Sequence, residues 1–296
     1  MSQLEVTFTP AEFAALRQRD LSRTVCVVFD VLRATSSMIT ALANDAREII
    51  PVAEINEAVA LRQARPDLML AGERDGVRIL AHQSGGVDFD FGNSPREFTR
   101  ERVGGRSLAM TTTNGTRALQ ACRGARPVLV GSFLNLSAVA DWLAREGVEE
   151  LLIVCSGTHD EAAYEDVLGA GALCDAVWAQ FASGHVADSA QVAREIYQQG
   201  RGDLLAAVQR ARNARRLLAL EEAHAPTAMS PLTLETQGYM AYGEQKGPFT
   251  AHPKVDAQTG ELFFFGYNAD GAFTPGITVG AIDADGQLVR YTKFQA

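Results

Sequence analysis

Residues 25–37 read VCVVFDVLRATSS, a short apolar run that stops at a carboxylate and continues into small hydroxyl residues. The β-branched and aromatic side chains of Val25–Phe29 predict a buried strand, and Ala34–Ala43 is typical of the helix that follows. Such a strand places Asp30 at its carboxyl end, where open α/β sheets bind ligands. The stretch is equally typical of an ordinary strand before an N-capped helix, and alone it does not decide between the two.

The turn after the predicted strand concentrates polar groups that suit an anionic ligand. Arg33 offers a guanidinium for oxyanions, and Thr35 and Ser36 offer hydroxyls beside the first N–H groups of the helix. Asp30 adds a carboxylate that can hold a cation. We therefore expect these four side chains to crowd one small space at the edge of a sheet.

The composition limits the class of protein to which this turn belongs. Of the 296 residues, 47% are hydrophobic and 21% charged, which is typical of a packed soluble chain. The formal net charge of −9 argues against a nucleic-acid partner. Residues 1–20 show no signal-peptide core, and no apolar run reaches the length of a membrane span. We expect a cytoplasmic chain without a membrane partner, and the sequence leaves open whether it forms a homo-oligomer.

The cysteines and histidines do not suggest a disulfide framework or a metal cage. Cys26, Cys122, Cys155 and Cys174 lie far apart without CxxC spacing, which predicts buried thiols in a reducing compartment. The five histidines are scattered, and we expect those in the first two thirds of the chain to be surface or turn residues.

The chain after residue 47 continues the same alternation. Residues 48–52 are strand-like, 54–64 helical and 68–71 strand-like again, which predicts a parallel sheet with covering helices. The last of these strands runs into Glu73 and Arg74, a second acid beside a second arginine. The alternative for such a pair is a solvated turn.

Two later segments carry hydroxyl and amide groups. Residues 75–99 lack periodicity and end in FDFGNSPREF, where Asn93 and Ser94 precede a proline, so the segment is a candidate lid. The strand at 107–110 is followed by a turn rich in hydroxyl and amide side chains at the start of a helix. Its hydroxyls and backbone N–H groups predict a binding site for an oxyanion, which we call the oxyanion cradle. The cradle residues are Thr112, Thr113, Asn114, Gly115 and Thr116.

Two further strand ends complete the predicted site. The strand at 127–130 is followed by Ser132 and by a helix that begins at Asn135. The strand at 150–155 is followed by Glu165 and Asp166, whose alternative role is to complement a helix dipole. Gly169 and Gly171 within that helix predict close packing against another backbone. Residues 203–220 predict one more helix.

Several segments together resemble the 2-phosphosulfolactate phosphatase family. They are, in order, DVLRATSS, AGERDG, FDFGNSPREF, TTTNGTRAL, VGSFLN and CSGTHDEAAYEDVLGAGAL. The resemblance covers about residues 20–215 and implies a layered α/β/α domain with a mostly parallel sheet. It also implies Mg²⁺-dependent hydrolysis of a small anionic phosphoester, 2-phosphosulfolactate, to sulfolactate and phosphate. The alternative is a catalytically impaired anion-binding protein of the same fold.

We assign the site residues on these patterns and on this resemblance. The expected catalytic residues are Asp30, Arg33, Glu73 and Asp166. The expected Mg²⁺ ligands are Asp30, Glu73, Glu165 and Asp166. The expected substrate-binding residues are Arg74, Thr35, Ser36, Asn93, Ser94, Thr112, Thr113, Asn114, Gly115, Thr116, Ser132 and Asn135. A water activated by the metal is the expected nucleophile, in preference to Asp30 itself, because the DxDxT order of aspartate-nucleophile phosphatases is missing.

The end of the chain has a different character. Residues 216–296 resemble a fragment of the carotenoid oxygenase family, whose members are seven-bladed propellers that hold Fe(II) with four histidines. His252 in AHPK matches one ligand motif and the other three are missing, so we expect no iron. Gly-containing turns between short strands predict β-hairpins. We expect a partly ordered, aggregation-prone appendage that exposes the three phenylalanines at 263–265, in preference to a segment that packs on the α/β domain or pairs with another chain.

Overall fold

The computed structural model describes residues 2–74, 76–215, 218–219, 227–229, 236–239, 254–256, 259–266, 276–283 and 286–295. The chain divides into two compact units, Met1–Ala214 and Arg215–Ala296. The division falls beside the predicted boundary at residue 215.

Strands and helices alternate along the first unit. Its strands are β1 (Gln3–Thr7), β2 (Val25–Phe29), β3 (Glu48–Pro51), β4 (Met69–Arg74), β5 (Val77–Arg78), β6 (Ser107–Thr111), β7 (Val128–Gly131), β8 (Glu150–Cys155) and β9 (His185–Val186). Its helices are α1 (Phe13–Leu16), α2 (Ala34–Ala43), α3 (Ile55–Ala64), α4 (Ala81–Ser84), α5 (Arg100–Val103), α6 (Gly115–Ala121), α7 (Leu136–Arg145), α8 (Tyr164–Phe181), α9 (Asp188–Gly200), α10 (Leu204–Gln209) and α11 (Arg212–Arg215).

A five-stranded sheet in the order β7-β2-β8-β1-β9 is parallel throughout. Strand β2 is buried on both faces, and its side chains alternate between two cores. Val25, Val27 and Phe29 pack with α7, α8 and α9, whereas Cys26 and Val28 pack with α1 and α6. The sheet therefore has helices on both sides, which confirms the layered α/β fold.

The parallel strands sort into two sheets, where the sequence pattern predicted one. The second sheet has the order β3-β6-β4-β5, with β3 and β4 parallel to β6 and β5 antiparallel to β4. Helix α2 packs between them, because Met38 and Ala41 share a core with Leu108 and Met110 of β6 and with Val130 of β7. Asp30 and Glu73 thus end strands of different sheets.

One predicted helix is wrong in its extent. Within residues 203–220, the described residues form α10, α11 and the two-residue strand Leu218–Ala219 instead of a single helix. The N–H groups of Arg210 and Ala211 bond to carbonyls three residues earlier, at 3.3 and 2.9 Å, which tightens and ends α10. The strand that follows pairs with residues 227–228, and this pairing overrides the helical preference of the segment.

Both glycines of α8 allow close packing, but the predicted contact with another backbone is confirmed only for Gly171. A Cβ atom at Gly171 would overlap the carbonyl oxygen of Ala193 in α9, and one at Gly169 would lie 2.7 Å from the ring of Phe29. All four cysteines are buried and unpaired, also as predicted. His82, His159 and His185 are exposed, which agrees with their predicted surface placement. In the described part of the chain no helix is long and apolar enough to cross a membrane.

The second unit consists of antiparallel strands, which confirms the predicted hairpins. One sheet contains β10 (Leu218–Ala219), β11 (Thr227–Met229) and β12 (Thr236–Tyr239). The other contains β13 (Lys254–Val255), β14 (Leu262–Gly266), β15 (Gly276–Ile282) and β16 (Leu288–Gln295). Phe264 is buried with Ile282, whereas Phe263 keeps 38% of its surface exposed. The expected exposure of all three phenylalanines is therefore wrong for Phe264, because successive strand residues point to opposite faces of the sheet.

Candidate active site

Asp30 lies directly after β2 and is held by the first turn of α2. Its Oδ1 accepts the N–H of Ala34 at 3.1 Å, and its backbone N–H donates to Thr35 Oγ1 at 3.0 Å. Thr35 Oγ1 in turn donates to the carbonyl of Gly131 at 2.7 Å, and Ser36 Oγ donates to the carbonyl of Val31 at 2.7 Å. The two predicted hydroxyls therefore fix the turn that carries Asp30.

Glu73 lies near the end of β4 and accepts two backbone N–H groups. Its Oε1 accepts from Thr113 at 2.8 Å and its Oε2 from Gly76 at 2.7 Å. The bond to Thr113 joins Glu73 to the predicted oxyanion turn, because Thr113 belongs to the loop after β6. The acid of β4 and the cradle are thus in contact.

The predicted oxyanion turn packs closely on Asp30. Thr112 and Thr116 bond reciprocally, since the N–H of each donates to the hydroxyl of the other at 3.1 and 3.2 Å. Gly115, the first residue of α6, has no side chain, and a Cβ there would lie 2.6 Å from Asp30 Oδ2. Only glycine lets the start of this helix approach the carboxylate so closely.

Three buried oxygens of predicted site residues lack a hydrogen-bond partner in the described part of the chain. They are Asn93 Oδ1, Thr113 Oγ1 and Asn114 Oδ1. Asn93 is joined to α2 because Ser37 Oγ donates to its carbonyl at 3.1 Å. Buried polar atoms are normally paired, so unpartnered oxygens beside Glu73 and Gly115 indicate a place for a ligand or an ordered water.

Asp166 lies in the first turn of α8 and is fully engaged by hydrogen bonds. Its Oδ1 accepts the N–H of Val31 at 2.8 Å, and its Oδ2 accepts Ser156 Oγ at 3.0 Å and the N–H of Gly157 at 3.1 Å. Asp166 therefore ties the end of β8 to the residue that follows Asp30. Its neighbour Glu165 is 1% exposed, so neither acid is a solvated complement to the helix dipole.

Neighbouring acids contribute to the raised pKa values of Asp30 and Asp166. Burial, aided by the charges of Glu73 and Glu165 and opposed by the hydrogen bond from Ala34, raises the pKa of Asp30 to about 6. Burial, Glu165 and Asp30 together raise the pKa of Asp166 well above its usual range. Burial also raises the pKa of Glu165. Such a set of coupled carboxylates is typical of a functional site.

Arg33 is the cation most closely associated with these acids. The residue as a whole is half-buried, with Nη2 3.5 Å from the carbonyl oxygen of Gly76. Burial lowers the pKa of Arg33, and the charges of Glu73, Asp30 and Glu97 oppose that effect. Arg33 thus lies in the field of the two acids that end β2 and β4.

Arg74 is engaged differently. Its guanidinium donates to Thr111 Oγ1 at 3.0 Å and to the carbonyls of Glu73 and Ala53 at 2.8 and 3.4 Å. Because successive strand residues point to opposite faces, Arg74 and Glu73 are separated by the sheet. These bonds hold the loop after β3, and a role of Arg74 in substrate binding stays a prediction.

The predicted residues around Ser94 and Ser132 stabilise turns. The carbonyl of Ser94 accepts the N–H of Glu97 at 2.9 Å at the 3₁₀ turn Pro95–Glu97. Asn135 Oδ1 accepts the N–H of Ser132 at 2.9 Å, and Asn135 Nδ2 donates to the carbonyl of Val130 at 2.9 Å. Substrate binding by these residues stays a prediction.

Among the described residues, no group of three or more histidine, cysteine or acidic side chains is arranged to hold a metal ion. The four acids interact through their charges but do not form a ready-made cage. His252 lies outside the described residues. A separate, mostly apolar cavity of about 470 Å³ includes Met38, Leu42 and Ile49 in its lining and contains none of the predicted site residues.

Sequence patterns missed two polar side chains beside the acids. Asn213 of α11 donates to Glu165 Oε1 at 2.7 Å and to Thr158 Oγ1 at 2.8 Å. In the sequence, Asn213 is distant from the strands that carry the predicted site, and it lies in a segment predicted as a continuous helix. No local pattern therefore indicates a role for it. Thr158 lies three residues after the end of β8, and its place in the loop at a strand end was a usable signal.

Most of the chain matches a known protein family. Residues 11–225 match the family model described as 2-phosphosulpholactate phosphatase. The chain belongs to the 2-phosphosulpholactate phosphatase family. The resemblance of the six segments is thereby confirmed, and the predicted enzyme class agrees with the names of curated relatives.

Three relatives named probable 2-phosphosulfolactate phosphatase show the extent of the phosphatase-family match. The protein of Caldanaerobacter subterraneus subsp. tengcongensis is 42% identical over 54% of this chain and 64% of its own length. That of Symbiobacterium thermophilum is 39% identical over 67% and 80%. That of Clostridium acetobutylicum is 34% identical over 69% and 84%.

The C-terminal part matches different proteins. Residues 163–296 match the family model described as retinal pigment epithelial membrane protein, so the two matches overlap at 163–225. A lignostilbene dioxygenase structure from Pseudomonas brassicacearum is 43% identical, covers 27% of this chain and 17% of its own, and has a TM-score of 0.25. A cobalt-substituted Synechocystis ACO is 27% identical over 28% and 19%, with a TM-score of 0.22. The resemblance of this part to a fragment of the second family is confirmed.

Proposed function

We propose that this chain is a Mg²⁺-dependent phosphatase that hydrolyses 2-phosphosulfolactate to 3-sulfolactate and phosphate. The observation that carries the proposal is the group of buried, charge-coupled acids around Asp30, next to Arg33 and to the turn with unpartnered oxygens. The names of the relatives support the choice of substrate.

The donor set suits Mg²⁺ in its chemistry. Mg²⁺ prefers oxygen ligands, and the buried groups here are carboxylates and the unpartnered amide oxygens of Asn93 and Asn114. The ion keeps several waters and takes substrate phosphate oxygens, so one or two protein carboxylates suffice. We place Asp30 at the ion, with Glu73 and Glu165 as the acids that flank it. When bound, Mg²⁺ supplies charge neutralisation at the phosphoryl oxygens and a more acidic water.

The remaining residues bind and orient the substrate in this proposal. Arg33 pairs its planar guanidinium with two oxygens of an anionic group. Thr113 contributes its unpartnered hydroxyl beside Glu73, which can donate a hydrogen bond to an oxygen of the substrate. Asp166 accepts three hydrogen bonds from Val31, Ser156 and Gly157, which favours a role in holding the Asp30 turn in place.

Water is the proposed nucleophile, in preference to the carboxylate of Asp30. Asp30 Oδ1 already accepts the Ala34 N–H, and Gly115 approaches Oδ2 from the other side. This leaves little room for an in-line approach of Asp30 to phosphorus. Mass spectrometry of the chain during turnover should therefore show no phosphorylated Asp30, and its detection would overturn the assignment.

Phosphate release tests the proposed function. The full chain should release phosphate from 2-phosphosulfolactate with Mg²⁺, lose this activity in EDTA and regain it on Mg²⁺ addition. Asp30→Asn should reduce kcat by at least about a hundredfold, because it removes the charge at the ion. 2-Phospholactate, which has no sulfonate, serves as the matched substrate and should be hydrolysed less well.

The alternative function is anion binding without hydrolysis. It draws support from the lack of a ready-made three-acid metal site among the described residues. Calorimetric binding of sulfolactate or phosphosulfolactate by a chain that releases no phosphate under any metal condition would favour this alternative and contradict the phosphatase proposal.

A further inference from the structure

The short helix α11 reaches the acidic group from a segment that the predicted site did not include. Asn213 on this helix donates two hydrogen bonds from one amide nitrogen, to Glu165 Oε1 at 2.7 Å and to Thr158 Oγ1 at 2.8 Å. An NH₂ group has two protons, so both bonds are satisfied at once. This fixes the Glu165 carboxylate relative to the end of β8.

Glu165 depends on this contact for its hydrogen bonding. The acid is 1% exposed, and within the described part of the chain its carboxylate receives a hydrogen bond from no other side chain. A buried carboxylate without a fixed partner can rotate or take up a proton, and either change would remove it as an ordered ligand.

Two adjacent contacts hold the same segment against the start of α8. Arg212 pairs with Glu161 at 3.1 Å, and the guanidinium carbon of Arg210 lies 5.8 Å from the ring centroid of Tyr164. Residues 210–213 are therefore attached to residues 158–165 at three points, of which the one at Asn213 reaches a buried acid.

We propose that Asn213 is a positioning residue that orients Glu165 for the divalent cation of the active site. The inference rests on the proposed Mg²⁺ dependence. Hydrogen bonds from outside the ligand set hold metal ligands in their binding orientation, and their loss typically weakens metal affinity by about 10- to 100-fold. Asn213 acts through Glu165 and does not itself contact the ion or the substrate.

Direct metal binding tests the inference without relying on turnover. Isothermal titration calorimetry with MgCl₂ should show that Asn213→Ala raises the Kd for Mg²⁺ by about tenfold or more in the full chain. Arg201→Ala is the matched control, because it removes a partly exposed ion pair with Asp175, and it should change the Kd by less than about twofold. Circular dichroism should give both variants the spectrum of the unmodified chain.

A double-mutant cycle separates positioning from general destabilisation. If Asn213 acts through Glu165, then adding Asn213→Ala to Glu165→Gln should not weaken Mg²⁺ binding further. Should the alanine variant fail to fold, Asn213→Leu keeps the side-chain volume and replaces it in the cycle. An unchanged Kd in the folded variant, additive effects in the cycle, or no Mg²⁺ binding by the unmodified chain would each overturn the inference.

The outcome is distinguishable from failure of the proposed function. An unmodified chain that binds Mg²⁺ but releases no phosphate contradicts the phosphatase proposal, whereas the effect of Asn213 on metal affinity still supports the positioning role.

Discussion

At the scale of single residues, the buried acids form the candidate active site, and their burial lowers the free energy of unfolding of the metal-free chain. Asp30 and Glu73 end strands of two different sheets, and both lie in the field of Arg33. Because burial and the charges of neighbouring acids disfavour their charged forms, Asp30 and Asp166 hold their protons more tightly than free carboxylates do. A bound cation would relieve this repulsion.

Asp30 should lower the stability of the metal-free chain as the pH rises. Burial raises the pKa of Asp30 to about 6 from an ordinary 3.8, so between these values the folded chain holds more protons than the unfolded chain. The contribution of Asp30 to stability therefore falls from about pH 4 to about pH 6, by roughly 3 kcal/mol, and stays low above that range.

Asp30→Asn removes this pH-dependent loss. In EDTA, urea unfolding should show the variant more stable than the unmodified chain at about pH 8, with the difference vanishing near pH 4. A variant that is less stable at every pH would show that the charged form of Asp30 stabilises the fold.

Arg33→Lys should weaken substrate binding although the charge is unchanged. A lysine ammonium cannot make the paired hydrogen bonds of a guanidinium to two oxyanion oxygens, so KM should rise by about tenfold with a smaller change in kcat. Steady-state phosphate release measures both constants.

The control for Arg33→Lys is Arg23→Lys, because Arg23 is 77% exposed and lies on the surface. Its kinetic constants should equal those of the unmodified chain. Equal constants for Arg33→Lys as well would identify Arg33 as a structural cation only.

At the scale of elements, the close contact of α8 and α9 holds the acids at their helix start. Glu165 and Asp166 occupy the first turn of α8, and Gly171 lies one to two turns further along the same helix. The backbone of α9 at Ala193 fills the space that a side chain at Gly171 would occupy. The position of the acids therefore depends on a direct contact between the backbones of α8 and α9.

Gly171→Ala should destabilise the chain, although alanine favours helices by about 1 kcal/mol over glycine. The new Cβ would overlap the carbonyl oxygen of Ala193, and backbone shifts of this kind cost about 1–3 kcal/mol. We expect a net loss of stability in urea unfolding. Gly202→Ala, at a site with no atoms nearby, is the control, and a stabilised Gly171→Ala chain would contradict the packing account.

At the scale of the whole molecule, the two units differ in how much core they possess. The first unit has four clusters of buried apolar side chains and carries all the predicted site residues. Among its described residues, the second unit has one small cluster around Phe264 and Ile282. Val279 and Phe294 are 42% and 46% exposed, so part of its sheet face lies open to solvent.

Deleting residues 226–296 should leave a folded chain with phosphate release close to that of the full chain. The family match ends at residue 225, and each sheet of the first unit is completed by residues before 187. Removing exposed phenylalanines should also increase solubility. Circular dichroism, size-exclusion chromatography and the phosphate assay measure the three properties. Loss of folding on deletion would show that the second unit has become part of the core.

Local patterns were sufficient to predict much of this protein. Sequence patterns predicted β2 and α2 at their observed bounds. A strand that is buried on both faces is a continuous apolar run, and the small residues after Arg33 are typical of a helix, so both elements can be recognised locally. The same patterns placed Asp30 and Glu73 at strand ends. The glycines of α8 predicted a close backbone contact, since glycine within a helix is costly unless packing requires it.

Tertiary structure alone decided the pairing of distant segments. Three features join residues that are far apart in the chain. They are the sorting of the strands into two sheets, the hydrogen bonds of Arg74 to Ala53 and Thr111, and the hydrogen bond of Asn213 to Glu165. The break in the predicted 203–220 helix has the same origin. Such pairings depend on which surfaces bury each other best, a property of the folded packing that no short stretch of sequence contains.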